Sequence, residues 1–143
     1  MGAITASRTS AASPDRLWSL ISDLPAWGEM LPTVRSVEAL DPAVGPIGVG
    51  SRFTVRQPGL PTAVYEVTEW APGCSFTWVS RGPGLLATAV HTVEPVDSGS
   101  RLDLSLEWTG PLAGPLRLLL ARKARGMVEL EAETFTRLAE TGR

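Results

Sequence analysis

The sequence is poor in the residues that form covalent or metal-stabilised folds. Its 143 residues include one cysteine, Cys74, and one histidine, His91. A single cysteine cannot form an internal disulfide, and these two side chains cannot supply the ligand cluster that a structural zinc ion requires. The nucleotide-binding and hydrolase motifs with known spacing are missing as well. We therefore expect a cytoplasmic protein with no metal site and no cofactor.

Long apolar runs and an excess of one charge are also missing. A run of about 18 apolar residues, the length that a membrane-spanning helix needs, occurs nowhere. The first ten residues lack the apolar centre of a signal peptide. The formal net charge is −2, so no basic footprint points to nucleic acid. We expect neither stable membrane insertion nor a nucleic-acid partner, and the oligomeric state stays open.

Size and composition are typical of one globular domain. Of the residues, 43% are hydrophobic and 20% are charged, which argues against disorder and against a repeat protein. A chain of this length can bury one core of ordinary size but hardly two. We expect a single domain over residues 1–143.

The first thirty residues predict one strand and two short helices. Residues 3–10 alternate in polarity, as an edge strand does. The tripeptide Ser13 to Asp15 combines a capping serine, a proline and an acid, which suit the unpaired N–H groups and positive dipole of a helix N-terminus. Asp23 is expected to cap a second short helix that ends near Met30.

From residue 34 to residue 109 the period of the apolar residues changes to two. Six β-rich runs follow one another without an intervening helix, which predicts an antiparallel meander. In the last run, apolar and polar residues alternate strictly, so one face is expected to be buried. The runs are Val34–Leu40, Arg52–Gln57, Ala63–Trp70, Ser75–Ser80, Leu85–Val96 and Arg101–Thr109.

After Pro111 and Pro115 the pattern is helical to the end of the chain. At about 1.5 Å per residue this helix is about 40 Å long and must lie diagonally along the sheet. Gly126 indicates either close approach of the helix backbone to the sheet or room for a ligand. A basic cluster on the helix suits a solvated face, which we favour over a membrane-surface role. The predicted apolar stripe is Leu116, Leu119, Leu120, Met127, Leu130, Thr134 and Leu138, and the basic cluster is Arg117, Arg122, Lys123 and Arg125.

Several short motifs occur in a fixed order along nearly the whole chain. They are Ser13-Pro14-(x)3-Trp18, Asp23-(x)3-Trp27, Leu31-Pro32, Gly48-x-Gly50-Ser51-Arg52-Phe53, Pro72-Gly73 before Phe76-Thr77-Trp78, and His91-x-Val93-Glu94-Pro95. Together with the order of elements, they resemble the START-like and pollen-allergen-like helix-grip superfamily, in its polyketide cyclase/dehydrase and lipid-transport (SRPBCC) family. The resemblance implies an α+β fold. In this fold a curved seven-stranded antiparallel sheet wraps around the long C-terminal helix, and two short helices follow strand 1.

The resemblance also implies a cavity between the sheet and the C-terminal helix. Its expected function is to bind a small hydrophobic or aromatic molecule, polyketide-like or lipid-like, as a carrier or binding protein. The alternative is a cofactor-independent cyclase or aromatase-like enzyme that acts mainly by positioning its substrate. A third interpretation is a protein-interaction module whose cavity is vestigial. Composition alone fits a solidly packed core equally well.

Alternation along the strands and spacing along the helices give the candidate ligand-binding residues. Most are apolar or aromatic with a few polar groups among them, as is usual for small-molecule sites. Trp27 and Met30 either border the cavity or belong to the core. The candidates are Trp27, Met30, Phe53, Val55, Tyr65, Val67, Phe76, Trp78, Ala89, His91, Leu104, Leu106, Trp108, Leu120 and Met127.

His91, Tyr65 and Glu131 are the candidate catalytic residues. The ordinary pKa of His91 lies near neutrality, which suits a general acid or base, although a single histidine on an apolar face is often only structural. Tyr65 can donate a hydrogen bond to a ligand or place its hydroxyl at the rim of a core. Burial would raise the pKa of Glu131, whereas a solvated position would not.

Overall fold

A computed structural model describes residues 3–40 and 46–141. They form seven antiparallel strands in one sheet, two short helices near the N-terminus and one long C-terminal helix. This is the α+β architecture that the resemblance implies. The elements are β1 Ile4–Ser10, α1 Pro14–Ile21, a 3-10 turn Leu24–Ala26, α2 Trp27–Met30, β2 Ser36–Ala39, β3 Arg52–Arg56, β4 Ala63–Ala71, β5 Ser75–Gly82, β6 Leu85–Val96, β7 Gly99–Thr109 and α3 Ala113–Thr141.

The sheet has the order β1-β7-β6-β5-β4-β3-β2. Strands β2 to β7 form the predicted meander, and β1 pairs with β7 at one edge. The predicted bounds of β6 are confirmed, whereas β2 begins at Ser36 rather than at Val34. The reason is that the Val34 N–H donates to the carbonyl of Leu31 in a turn and not to a neighbouring strand.

The two helix N-termini that the sequence predicts have different outcomes. The Ser13 hydroxyl accepts a hydrogen bond from the Arg16 N–H at 3.1 Å, so the predicted cap of α1 is confirmed. The Asp23 side chain forms no capping hydrogen bond within the described residues, and this prediction is wrong. The segment begins instead as a 3-10 turn, in which the Ala26 N–H donates to the main-chain carbonyl of Asp23.

Small residues form most of the face of α3 that packs against the sheet. The predicted leucine stripe is wrong in part, because Leu119 and Leu130 are 81% and 38% exposed. The helix has 29 residues, but no described helix is both long and apolar enough to cross a bilayer. The bulky leucines of α3 suggest an apolar stripe, but the buried positions that face the sheet recur at intervals of three and four, and all except Phe135 have small side chains. They are Ala124, Val128, Ala132, Phe135 and Ala139.

Gly126 does not have either role that its position in the helix suggests. A Cβ atom built on Gly126 would meet no described atom within 4 Å, so this residue lies on the outer side of α3. It therefore neither allows a close approach to the sheet nor makes room for a ligand.

The C-terminal part of α3, from Ala132 onward, is packed solidly. Phe135 is fully buried, and its ring lies 5.4 Å from the ring of Trp27. Leu17 and Ile21 of α1 are fully buried in the same core. Ordinary core packing therefore fixes the C-terminal half of α3 against α1 and the sheet.

Replacing Phe135 with alanine tests this assignment. We expect Phe135→Ala to lower the free energy of unfolding by about 3–5 kcal/mol, because it leaves a cavity in a close-packed region. The matched control is Leu119→Ala on the same helix, which we expect to change stability by less than about 0.5 kcal/mol since Leu119 is exposed. Urea denaturation followed by tryptophan fluorescence measures both. Similar losses in the two variants would contradict the observed orientation of α3.

Candidate functional site

A cavity of about 110 Å³ lies between the sheet and the middle of α3. Strands β3 to β7 form one wall, and residues 124–131 of α3 form the other. Most of the lining is apolar, with a few polar side chains among the aromatic rings. The lining residues are Trp27, Val34, Val55, Gln57, Leu60, Tyr65, Trp78, Ala89, Val90, His91, Leu104, Ser105, Leu106, Trp108, Ala124, Met127, Val128 and Glu131.

The cavity exists because short side chains of α3 face the sheet at this level. Ala124 and Val128 point at the wall that contains Trp78 and Leu106, and neither side chain is long enough to fill the space. Farther along the same face, Phe135 is fully buried against Trp27 and does not line the cavity. The sequence of α3 therefore sets both the position and the extent of the cavity.

Trp27 forms one end of the cavity and is held firmly. Its indole N–H donates to the carbonyl of Ile21 at 3.1 Å, and its ring packs edge-on against Trp78 at 5.3 Å. The next residue is Gly28, where a Cβ atom would lie 2.6 Å from the carbonyl oxygen of Arg35. Only glycine permits this approach of α2 to the chain before β2, which fixes Trp27 in place.

His91 lies on β6 in an apolar and aromatic environment. It is 5% exposed, and its ring stacks on Phe76 at 4.1 Å with an angle of 10° between the planes. Its Nδ1 is 3.3 Å from the carbonyl oxygen of Phe76. Because a carbonyl can only accept, Nδ1 carries the proton of the neutral ring and Nε2 is the acceptor. Burial lowers the pKa of His91 to about 4, against a smaller opposite effect of the hydrogen bond, so the imidazole is neutral at pH 7.

The group whose pKa lies near neutrality is Glu131, and not His91 as the sequence suggests. Burial raises the pKa of the Glu131 carboxyl to about 7, although a hydrogen bond from Thr33 opposes this increase. The Thr33 hydroxyl donates to Oε2 of Glu131 at 2.8 Å and so fixes the carboxyl at the cavity wall. The residue as a whole is half-buried, which fits a side chain whose remaining surface faces the cavity. Glu131 is therefore not a solvated flank.

Tyr65 is the third catalytic candidate that lines the cavity. Burial, and to a smaller extent the charge of Glu131, raises the pKa of Tyr65 to about 12. Its ring lies 4.9 Å from that of Trp78, so the phenol is held against an aromatic wall. At neutral pH the hydroxyl keeps its proton and can donate a hydrogen bond. The cavity thus contains a phenol that stays protonated and a carboxyl that gains or loses a proton near pH 7.

The polar groups do not form a metal centre. Across residues 3–40 and 46–141, no three His, Cys, Asp or Glu side chains lie close enough to hold a metal ion. Cys74 is exposed in the turn between β4 and β5.

The structure brings together ten of the fifteen residues named as ligand-binding candidates, together with the three catalytic candidates. Alternation along a strand gives the correct face but not the depth, so some inward residues lie beneath the lining. Phe76 lies under His91, and Phe53 lies beside Trp78 with ring centres 6.1 Å apart. Candidates that line the cavity are Trp27, Val55, Tyr65, Trp78, Ala89, His91, Leu104, Leu106, Trp108 and Met127, and those that do not are Met30, Phe53, Val67, Phe76 and Leu120.

Sequence reasoning missed seven lining residues, and for three of them the sequence contains a signal that could have identified them. Ala124 and Val128 precede Glu131 by seven and three residues, a helical spacing that places all three on one face. Their side chains are too small to stand out in an apolar pattern, but this spacing could have identified them. Gln57 ends the predicted run Arg52–Gln57 and alternates with the inward candidates Phe53 and Val55, so it could have been identified in the same way. Leu60 lies in the turn between β3 and β4, where no periodicity guides a prediction. The full set is Val34, Gln57, Leu60, Val90, Ser105, Ala124 and Val128.

Comparison with solved structures defines the class of fold. The protein TTHA0849 from Thermus thermophilus is similar with a TM-score of 0.75 and 22% identity over 98% of each chain. A START superfamily protein from Mycobacterium smegmatis gives 0.71 and 17% over the whole of both chains. The allergen Ara h 8.0201 gives 0.67 and 14% over 97% of each. At these identities the likeness shows the fold alone, which is the helix-grip fold.

The family follows from the sequence itself. Residues 1–140 match the model of the family described as polyketide cyclase / dehydrase and lipid transport. The chain belongs to this family, as its motifs and element order indicated. No curated protein matches the chain. Membership implies binding of a hydrophobic ligand or a cyclase-like activity, without specifying either.

The pKa of Glu131 makes the stability of the protein depend on pH in a defined direction. Between its ordinary pKa of 4.5 and its folded pKa of about 7, the folded protein holds a proton that the unfolded chain releases. This contribution is complete at low pH and is lost as the pH rises through 7. We expect Glu131→Gln to gain stability relative to the wild type by on the order of 2 kcal/mol across this range, a value reduced to allow for partial exposure.

Urea denaturation at a series of pH values measures this difference. His91 contributes in the opposite direction, since its lowered pKa costs stability as the pH falls from 6.5 to about 4, but it is common to both proteins and cancels. The matched control is Glu129→Gln, which removes an exposed carboxyl from the same helix. A constant difference between Glu131→Gln and wild type at all pH values would contradict a buried carboxyl at the cavity.

Proposed function

We propose that this protein binds a small hydrophobic or aromatic molecule in the cavity and acts as a carrier or binding protein. The observation that supports this most strongly is the unfilled space between the sheet and α3, walled by aromatic and aliphatic side chains. Membership of the polyketide cyclase / dehydrase and lipid transport family agrees with it. The cytoplasmic location expected from the cysteine content stays a prediction.

The size of the cavity limits the buried part of the ligand. Sites for drug-sized ligands commonly measure about 300–1,000 Å³, whereas an apolar cavity of about 150 Å³ binds benzene. A cavity of about 110 Å³ therefore suits one small ring or a short acyl segment. A longer polyketide or lipid would have to extend past Gln57 and Leu60, the half-buried residues at the turn between β3 and β4.

The polar groups suggest a carbonyl or a hydroxyl on the ligand. The Tyr65 hydroxyl can donate to a carbonyl oxygen. Glu131 can donate when protonated or accept from a phenol when ionised, and its pKa near 7 makes both states available. The rest of the wall offers apolar contact and aromatic edges. We therefore infer a ligand with one polar substituent on an otherwise apolar body.

A second function, a cofactor-independent cyclase, is favoured by one observation. Glu131 has a pKa close to neutrality and shares the cavity with a protonated phenol, which is the pairing that general acid–base chemistry needs. In such a reaction the ionised carboxyl would accept a proton from the carbon next to a ligand carbonyl. Tyr65 would donate a hydrogen bond to the carbonyl oxygen as negative charge forms there.

Filling the cavity tests the binding function. We expect wild-type protein to bind toluene, phenol or p-hydroxyacetophenone, and Ala124→Leu to lose this affinity because the larger side chain occupies the space. The control is Ala71→Leu, the same change at an exposed position of β4, which should bind as the wild type does. Isothermal titration calorimetry measures affinity, and thermal melts verify that each variant folds. Equal affinity in wild type and Ala124→Leu would sink the proposal.

The carrier and enzyme alternatives separate with two further variants. Tyr65→Phe and Glu131→Gln keep the shape of the cavity while removing the hydroxyl and the ionisable carboxyl. Loss of turnover of a poly-β-ketone thioester with retained binding would establish the enzyme. If the wild type binds the poly-β-ketone and mass spectrometry detects no change in it, the protein is a carrier.

A further inference from the structure

The first half of α3 exposes large apolar side chains that the cavity does not use. Leu118 is 89% exposed and Leu119 is 81% exposed. Leu119 belonged to the apolar stripe expected to face the sheet, but the structure turns it outward. The sequence alone favours a solvated face for the basic cluster on this helix, but two adjacent leucines with most of their surface in water carry a free-energy cost that a binding surface would explain.

Basic side chains surround these leucines. Between Glu107 and Glu129 the sequence has no acidic residue. On the helix, Arg122 follows Leu118 by four residues and Lys123 follows Leu119 by four, so each leucine has a basic neighbour on the same face. Arg122, Lys123 and Arg125 are exposed, and no ion pair joins any of them to a described residue.

We propose that this surface, formed by Leu118, Leu119, Arg122, Lys123 and Arg125 and called the basic leucine face, docks reversibly on an anionic lipid surface. Leucines that protrude from a convex helix can enter the boundary of the acyl chains, while the basic groups meet the phosphates. A second copy of the chain fits less well, because a two-fold contact would place three cations against three like cations.

The basic leucine face adjoins the rim of the cavity. The Lys123 side chain lies over Gly59, where a Cβ atom would be 2.5 Å from its Nζ. Gly59 belongs to the turn between β3 and β4 that carries the lining residues Gln57 and Leu60. Docking would therefore bring this rim close to the lipid, where apolar molecules concentrate. The docking itself does not depend on what the cavity binds.

Cosedimentation of the full chain with vesicles tests the proposal in the absence of any ligand. The vesicles contain phosphatidylcholine alone or with about one quarter phosphatidylglycerol. We expect binding to the anionic vesicles that weakens as salt is added. Arg122→Gln with Lys123→Gln should weaken binding by about fivefold for each charge removed. Leu118→Ser with Leu119→Ser should weaken it by about tenfold or more.

Matched variants outside the face provide the controls. Arg35→Gln with Arg137→Gln removes the same charge from other exposed positions, and Val49→Ser with Val64→Ser removes apolar groups that are 70% and 45% exposed. Both double variants should bind as the wild type does. Equal losses in controls and face variants, or no preference for anionic vesicles, would overturn the proposal. So would a wild-type dimer that the leucine variant converts to a monomer, or binding to poly-glutamate but not to vesicles.

Discussion

The arrangement of the whole site depends on one packing constraint, the small size of the side chains that α3 presents to the sheet. Ala124 and Val128 face a wall of rings and long aliphatic side chains but cannot reach them. Phe135, two turns farther along, packs against Trp27 and lies outside the cavity lining. A helix with leucines at the two earlier positions would fill the hollow, and the same fold would then have an ordinary core.

The same enclosure gives the polar groups their chemistry. Each of them loses contact with water, and their pKa values move in the directions that burial dictates for an acid and for a base. The pKa of His91 falls, so the imidazole stays neutral, while the pKa of Glu131 rises into the neutral range. Thr33 and the carbonyl of Phe76 then fix the orientations of these two groups. The residue best suited to exchange a proton at neutral pH is consequently the carboxyl on α3 and not the histidine on β6.

The strands were easier to predict than the helix that covers them. In β7 the buried residues Leu102, Leu104 and Trp108 occupy alternate positions, so they could be assigned to the inner face from the sequence. In α3 the bulky leucines dominate the apolar pattern. This pattern predicts that Leu119 faces the sheet, whereas its side chain is exposed to solvent. Which residues of α3 are buried depends on their contacts with the sheet, whose strands are distant in sequence. The local periodicity of the helix carries no information about those contacts. Leu60, in the turn between β3 and β4, follows no such period, so its place in the cavity lining could only come from the fold.

A crystal structure of the protein under xenon pressure tests the central claim most directly, since xenon occupies apolar cavities that the surrounding side chains leave empty. We expect a xenon atom between α3 and the sheet, in contact with Val128, Trp78 and Leu106. It would be contradicted if α3 lay closer to the sheet, with these side chains in mutual contact and no xenon between them.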